Sequence, residues 1–404
     1  MASPRRTRME AVGERAPVTT LELFFDLVFV FALTQVTALM ARDDTVPVGI
    51  VVRGILILCV LWWCWVAYAW LCNIIRADEG LTRVAMFVAM GGMFVAAITI
   101  PESFDDFPGG LYGPAVFAVC YFVVRATHIF MFWLASRDDP VLRRQILRWV
   151  PSVLAGTVLL LAASQTTGTA QTLLWLAALV GDYVGTLLAG TDWRLRSPSH
   201  FAERHGLIII VALGESIVST GIGVVDLPVS WPIIVASMLG LAVTAAMWWA
   251  YFDVTAMITE RALAAAQGTR QVALARNGYS FLHLPMIVGI IMMSLGLKQV
   301  LGYVGGDDGH SLTDPIYGMP LAALYGGAAL YLLAHVGFKA CLTGVVNWAR
   351  VGVVVLLLAL IPAVAALPAL ATLAVLAAVL VALISYETVH HSGIRHEIRH
   401  ADEH

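Results

Sequence analysis

The sequence predicts an all-α, polytopic membrane protein of about twelve transmembrane helices, built as two parallel six-helix repeats. Three observations carry that prediction. Of the 404 residues, 60% are hydrophobic and 13% charged, with a mean hydropathy of +0.84; a water-soluble chain of this size carries more polar surface. Apolar runs of roughly 18–25 residues recur along the whole length, enough for a helix to cross a bilayer. The lysines and arginines alternate from loop to loop as the positive-inside rule requires.

Taken in order, residues 1–18 form a basic N-terminus with Arg5, Arg6, Arg8 and Arg15. The apolar run behind them is too long for a signal-peptide core and lacks a cleavage site, so it is an uncleaved first span. Spans are expected near 19–40, 48–72, 81–100, 112–135, 147–164, 170–189, 205–223, 230–252, 277–301, 314–338, 345–362 and 368–390. With a cytoplasmic N-terminus, the inside segments hold nearly all of the 24 lysines and arginines, and the outside loops hold Arg42. Arg53, Arg125 and Lys298 fall within spans or at their ends. Both termini are therefore expected in the cytoplasm. The tail, "HHSGIRHEIRHADEH", is His-rich; a solvated helix end or a metal-binding tract both fit it.

The formal net charge of -3 argues against a nucleic-acid partner. Cys59, Cys64, Cys72, Cys120 and Cys341 lie in or beside apolar runs with no CxxC spacing, so neither a disulfide framework nor a zinc site is expected. No cofactor is expected either.

The halves resemble each other. "LWWCWVAYAW" in span 2 is similar to "AMWWAYFDV" in span 8, and "YGPAVFAVCYFVVRATH" in span 4 to "YGMPLAALYGGAALYLLAH" in span 10. Six spans is an even number, so the two halves share orientation. The expected layout is a first repeat over 19–190, a cytoplasmic linker at 191–204, a second repeat over 205–390 and a cytoplasmic tail at 391–404.

Buried polar residues are the functional suspects, because ionisable groups in lipid are costly. In the first span, "TTLE" fits a capping box, with Thr19 as N-cap and Glu22 at the third helical position. Asp26 lies seven residues past Thr19, roughly 10 Å into the bilayer. It must face the bundle interior, a partner or water. Glu215 sits near the middle of span 7 in "GESIVSTG", with Ser219 one turn on. Arg125 is deep in span 4 with His128 three residues on, and Asp26, Asp182 and Glu215 are candidate partners for it. Asp182, His205, His283 and His335 complete the buried polar set. A helix-to-helix clasp competes with a functional role at each of them. Asp253, Arg53 and Lys298 lie near span ends, where snorkelling is cheap. The clusters Trp62, Trp63, Trp65 and Trp248, Trp249, Tyr251 are expected to form an interfacial aromatic belt. No GxSxG elbow, HExxH, P-loop or prenyltransferase-type DxxxD pair is present, so no catalytic residue is assigned.

"LELFFDLVFVFALTQV" and "RHGLIIIVALGESIVSTG" resemble the paired signature stretches of the bacterial low temperature requirement A (LtrA) family, over nearly the full chain. The matching positions are Glu22, Phe24, Phe25 and Asp26, then Arg204, His205, Gly206, Gly214 and Glu215. The resemblance implies a multi-pass protein of the bacterial inner membrane, needed for growth in the cold, with no settled chemistry. "FFDLVFVFALT" is also similar to the first-helix signature of endolysosomal potassium channels, through Phe24, Asp26, Phe29, Ala32 and Thr34; Phe25 departs from that pattern. That second resemblance implies pore-lining first helices and a four-fold-like pore in a homodimer. Three readings follow: passage of a small ion or solute along a path lined by Asp26 and Glu215, a membrane-embedded enzyme or lipid-handling protein, and a structural protein pinned by its buried polar groups. Membrane lipids are the other expected partner.

Overall fold

The computed structural model describes residue 13 and residues 17–42, 46–137, 139–188, 195–224, 228–306 and 309–390. The basic N-terminal arginines, most of the linker's first half and the His-rich tail fall outside the described residues. Within them the chain is helical, and its β pairing is an isolated bridge between Pro315 and Pro368. The helices are α1 (Thr20–Met40), α2 (Val48–Ile74), α3 (Gly80–Ile98), α4 (Gly113–Ala135), α5 (Pro140–Ser164), α6 (Gly168–Leu188), α7 (Pro198–Ile222), α8 (Trp231–Phe252), α9 (Thr255–Ala265), α10 (Gly268–Leu274), α11 (His283–Gly305), α12 (Gly318–Thr343), α13 (Trp348–Val364) and α14 (Ala369–His390). A π-helical segment, Ala275–Phe281, joins α10 to α11.

Among the described residues, eleven helical stretches are long and apolar enough to cross a membrane; α8 with α9, and α10 through α11, each count as one stretch. The twelfth expected span, α13, is a shorter apolar helix of 17 residues with Pro362 inside it. At 1.5 Å per residue it reaches about 25 Å, less than the roughly 30 Å of a hydrocarbon core.

Two helices begin earlier than their apolar runs. Asp139 caps α5, its carboxylate accepting from the Val141 and Leu142 amides at 3.1 Å, with Pro140 at the first helical position. Ser197 caps α7 ahead of Pro198, its hydroxyl accepting from the His200 amide at 3.3 Å. The stretch expected as the loop 253–276 holds α9 and α10.

The chain divides into two compact units. Among the described residues, unit 1 falls within 1–39, 52–204 and 267–273, and unit 2 within 40–51, 205–266 and 274–404. In unit 1, α3, α4, α5 and α6 pack each on the next. Here α2 is buried on nearly every face, and the Tyr68 hydroxyl donates to the Val124 carbonyl on α4 at 2.9 Å. Trp62 and Trp65 are fully buried and stacked on each other, with Trp63 buried beside them. These three tryptophans and Tyr251 are therefore core and not an interfacial belt; Trp248 and Trp249 are the exposed ones. Position along a helix could not reveal which face another helix covers.

In unit 2, α11 and α12 form the closest pair. A Cβ on Gly289 would stand 2.6 Å from the Tyr331 amide nitrogen, and one on Gly327 would stand 2.5 Å from that of Met293. Only glycine lets two backbones approach this closely. Hydroxyls tie α12 to its other neighbours: Tyr331 donates to Met247 O on α8 and Tyr325 to Thr372 O on α14, both at 2.8 Å.

Candidate functional site: a buried ladder of charge

The site begins at two helix starts. On α1, Thr19 and Glu22 exchange hydrogen bonds: the Thr19 amide and hydroxyl donate to Glu22 Oε1 at 3.1 and 2.8 Å, and the Glu22 amide donates to the Thr19 hydroxyl at 3.3 Å. This reciprocal cap fixes the first turn. Asp26 follows one turn later on the same face. On α7, the Ser197 cap sets the register of His200 and Arg204, again one turn apart. Asn73 of α2 holds that start in place, donating to Ser197 O at 2.7 Å and accepting from the Arg196 amide at 2.9 Å.

The two faces meet rung to rung within unit 1. His200 Nε2 lies 3.1 Å from Glu22 Oε2. Arg204 Nη1 lies 2.9 Å from Asp26 Oδ2, and its Nε lies 3.5 Å from Glu22 Oε2. Trp65 of α2 closes the far side, its indole N–H donating to Asp26 Oδ1 at 2.8 Å and its ring lying 5.3 Å from the guanidinium. All four charged or titratable side chains are at most 2% exposed. Glu22 is thus both a helix cap and a rung.

Charge counting gives the ladder its character. Glu22 and Asp26 bring two carboxylates, and Arg204 brings one guanidinium that stays protonated. The remaining partner is His200. Its Nε2 faces the carboxylate and so carries the hydrogen, while Nδ1 has no hydrogen-bond partner among the described residues. With both carboxylates ionised, two acids against one guanidinium leave one negative charge uncompensated away from water.

The other expected residues fall into separate groups. In unit 1, Arg125 pairs with Asp182 at 3.6 Å, one of the three acids considered for it, and Tyr121 donates to the same carboxylate. His128 is fully buried between Tyr68, Phe132 and Trp149, at ring distances of 5.6, 4.9 and 5.8 Å. In unit 2, buried Glu215 accepts from Ser219, and Ser216 pairs with Ser294. The three histidines gather in an aromatic nest. His205 lies 5.2 Å from His283, and Tyr251 lies 5.7 Å from His283 and 6.0 Å from His335. His283 Nδ1 donates to Gly278 O at 3.2 Å, so its Nε2 accepts from the Tyr251 hydroxyl at 2.9 Å. His335 accepts from Arg350 of α13. Arg350 also makes a bidentate pair with Glu387 of α14, both bonds at 2.8 Å, and donates to Ala250 O at 3.1 Å.

Sequence reasoning gave no site role to His200 and Arg204, the latter named only within the family signature, nor to Trp65, Tyr121, Arg350 and Glu387. For the first two a signal existed: Ser197-Pro198 is a helix start, and extending span 7 back to it puts both residues one turn apart inside the helix. The five cysteines form no disulfide, and among the described residues no group of three metal-ligand side chains occurs.

Helices of this length and apolarity around a charged interior define an integral, multi-pass membrane protein. The chain belongs to the bacterial low temperature requirement A protein (LtrA) family, whose profile matches residues 17–385. It is similar to an uncharacterized protein of Rhizobium meliloti (strain 1021), RA0937, with 28% identity over 353 residues, covering 84% of this chain and 81% of that protein. No solved structure matches it.

Proposed function

We propose that this protein carries a proton, or a small monovalent cation in its place, across the membrane, and that the α1–α7 ladder is where the charge is taken up. The observation that supports this reading is the ladder's imbalance: two buried carboxylates face one permanent cation. Such a cluster draws in one further positive charge, a proton or a guest cation. By contrast Arg125–Asp182 is one cation against one acid, and serves as a fixed clasp.

Asp26 is 2% exposed and held by Arg204 and Trp65. That favours uptake at a closed polar site over an open, water-filled pore of the kind the potassium-channel likeness implies. With the N-terminus in the cytoplasm, as the positive charges of the inside loops favour, the ladder stands near the inner ends of α1 and α7. It would be the inner station of the path. Glu215 is the buried acid of the opening helix in the second proposed repeat, and its role would be a second station.

The test is flux of protons, potassium and sodium in liposomes holding the purified protein. Wild type conducts, and Asp26→Asn, at an unchanged melting temperature, does not. Absence of flux from folded wild type overturns the proposal, and so does wild-type flux in the Asp26→Asn, Glu215→Gln double variant.

A further inference from the structure

Outside the ladder, unit 1 carries a groove of about 290 Å³ between α4 and α5. Phe122, Ala126, Phe130 and Trp133 of α4 line one side, and Val150 and Leu154 of α5 line the other. The sequence explains the shape. Positions 122, 126, 130 and 133 follow one another at helical intervals and share a face of α4, and the small Ala126 between two phenylalanines lowers its middle. Among the described residues, no lining side chain carries a charge, a hydroxyl or an amide. The groove therefore has nothing with which to hold an ion or a polar solute, and it fits hydrocarbon. Pockets for drug-sized molecules start near 300 Å³, so it takes a segment of one acyl chain.

The mouth of the groove is basic. With 25 residues, α5 is about 37 Å long against roughly 30 Å of hydrocarbon, so it leaves the hydrocarbon at one end. Arg143, Arg144 and Arg148 decide which end: all three are exposed on its first turns, and an exposed guanidinium belongs at the head-group level. The face of α5 that lines the groove runs back from Leu154 through Val150 and exposed Leu147 to Arg143, again at helical intervals. The Arg143 guanidinium lies over the Trp133 ring, 5.1 Å from its centre, and Trp133 belongs to the opposite wall. One arginine thus stands at the mouth, held over an indole. The stretch 137–148 carries four arginines and two aspartates, a net charge of +2 (4 − 2), and the Asp139 carboxylate accepts from the amides that open α5.

We infer that this groove binds an anionic phospholipid, one acyl chain lying between α4 and α5 and the phosphate meeting Arg143, with Arg144 and Arg148 adding to the attraction. The apolar walls select a chain, and the positive mouth selects the sign of the head group. A guanidinium pairs with a phosphate through two parallel hydrogen bonds, and basic residues at this level attract anionic lipids. A second copy of this chain fits less well. Both copies would stand the same way up in the membrane, so a two-fold contact through the groove would set one row of arginines against the other, like charges at close range. The site uses none of the ladder's residues and is independent of the transport reading.

The experiment is native mass spectrometry of the full-length protein released from detergent, with phosphatidylglycerol and phosphatidylethanolamine of matched chains in competition. Each basic residue at the surface is worth about fivefold in affinity for an anionic lipid, so the net positive mouth should give wild type a preference of roughly twentyfold for phosphatidylglycerol. Arg143→Gln should cut that preference about fivefold, while Lys298→Gln on α11 keeps it. Ala126→Leu fills the groove and leaves the arginines in place; it should lower retention of phosphatidylglycerol about tenfold, the worth of two methylenes of chain contact. Melting temperatures separate lost binding from lost fold, and the wild-type competition needs no variant. Equal retention of the two lipids by wild type overturns the inference. So does an unchanged preference in folded Arg143→Gln, or full retention in folded Ala126→Leu. Disulfide-linked dimers that form with Phe130→Cys and not with wild type would place a second copy in the groove, and overturn it as well.

Discussion

Arg204 and Arg350 are both buried guanidiniums near the start of a helix, and their surroundings differ in kind. Arg350 meets one carboxylate squarely, through two parallel hydrogen bonds, and spends its remaining donors on a neutral imidazole and a backbone carbonyl. Arg204 meets two carboxylates obliquely, through one short contact and one of 3.5 Å, with an indole ring beside it. The first arrangement is balanced and has nothing to exchange. The second is short by one positive charge. Burial alone therefore does not distinguish the two clusters; the ratio of acids to permanent cations around each guanidinium does.

The largest expected effect falls on the unbalanced cluster. Arg204→Met leaves two carboxylates facing each other out of water and should cost about 3–5 kcal/mol of stability, read as a drop in melting temperature or loss of folded material. Adding Glu22→Gln and Asp26→Asn should recover most of that loss. A single variant that melts like wild type would break the account of the ladder as ionic.

Arg350→Met should cost less, about 2 kcal/mol, because the Glu387 side chain is 14% exposed and can turn to solvent. Proton or cation flux sharpens the contrast between the clusters. Glu387→Gln should leave flux at the wild-type level where Asp26→Asn abolishes it. Equal losses in both would mean that the balanced pair also works in transport.

Trp65→Phe keeps an aromatic face and removes one hydrogen bond to a charged group, a loss of about 1.5 kcal/mol by thermal unfolding. The smallest effect is expected at the cap. Thr19→Val should cost about 1 kcal/mol, and hydrogen exchange should speed up in the first turn of α1 before anywhere else in that helix.

Much of the fold was legible in the sequence, because apolar length is a strong signal for a spanning helix. The site was half legible. Glu22 and Asp26 stand out as acids in an apolar run, but their partners do not. Arg204 and His200 precede the apolar run of span 7, so a hydropathy window assigns them to a loop; their helix starts earlier, at a serine-proline step. Trp65 was misplaced for another reason: an aromatic near the end of an apolar helix suits a membrane interface as well as a core, and neighbouring helices decide between them. Arg350 was counted as a loop charge although its guanidinium turns inward to Glu387, 37 residues away in sequence.

The glycine seam between α11 and α12 has a thermal consequence. Burial driven by water release weakens as temperature falls. Two helices in lipid gain nothing from that source, because the chains around them are as apolar as their own side chains. What joins α11 to α12 is dispersion between backbones that touch directly at Gly289 and Gly327. That attraction does not fade on cooling, so this part of the bundle keeps its grip when the membrane around it stiffens.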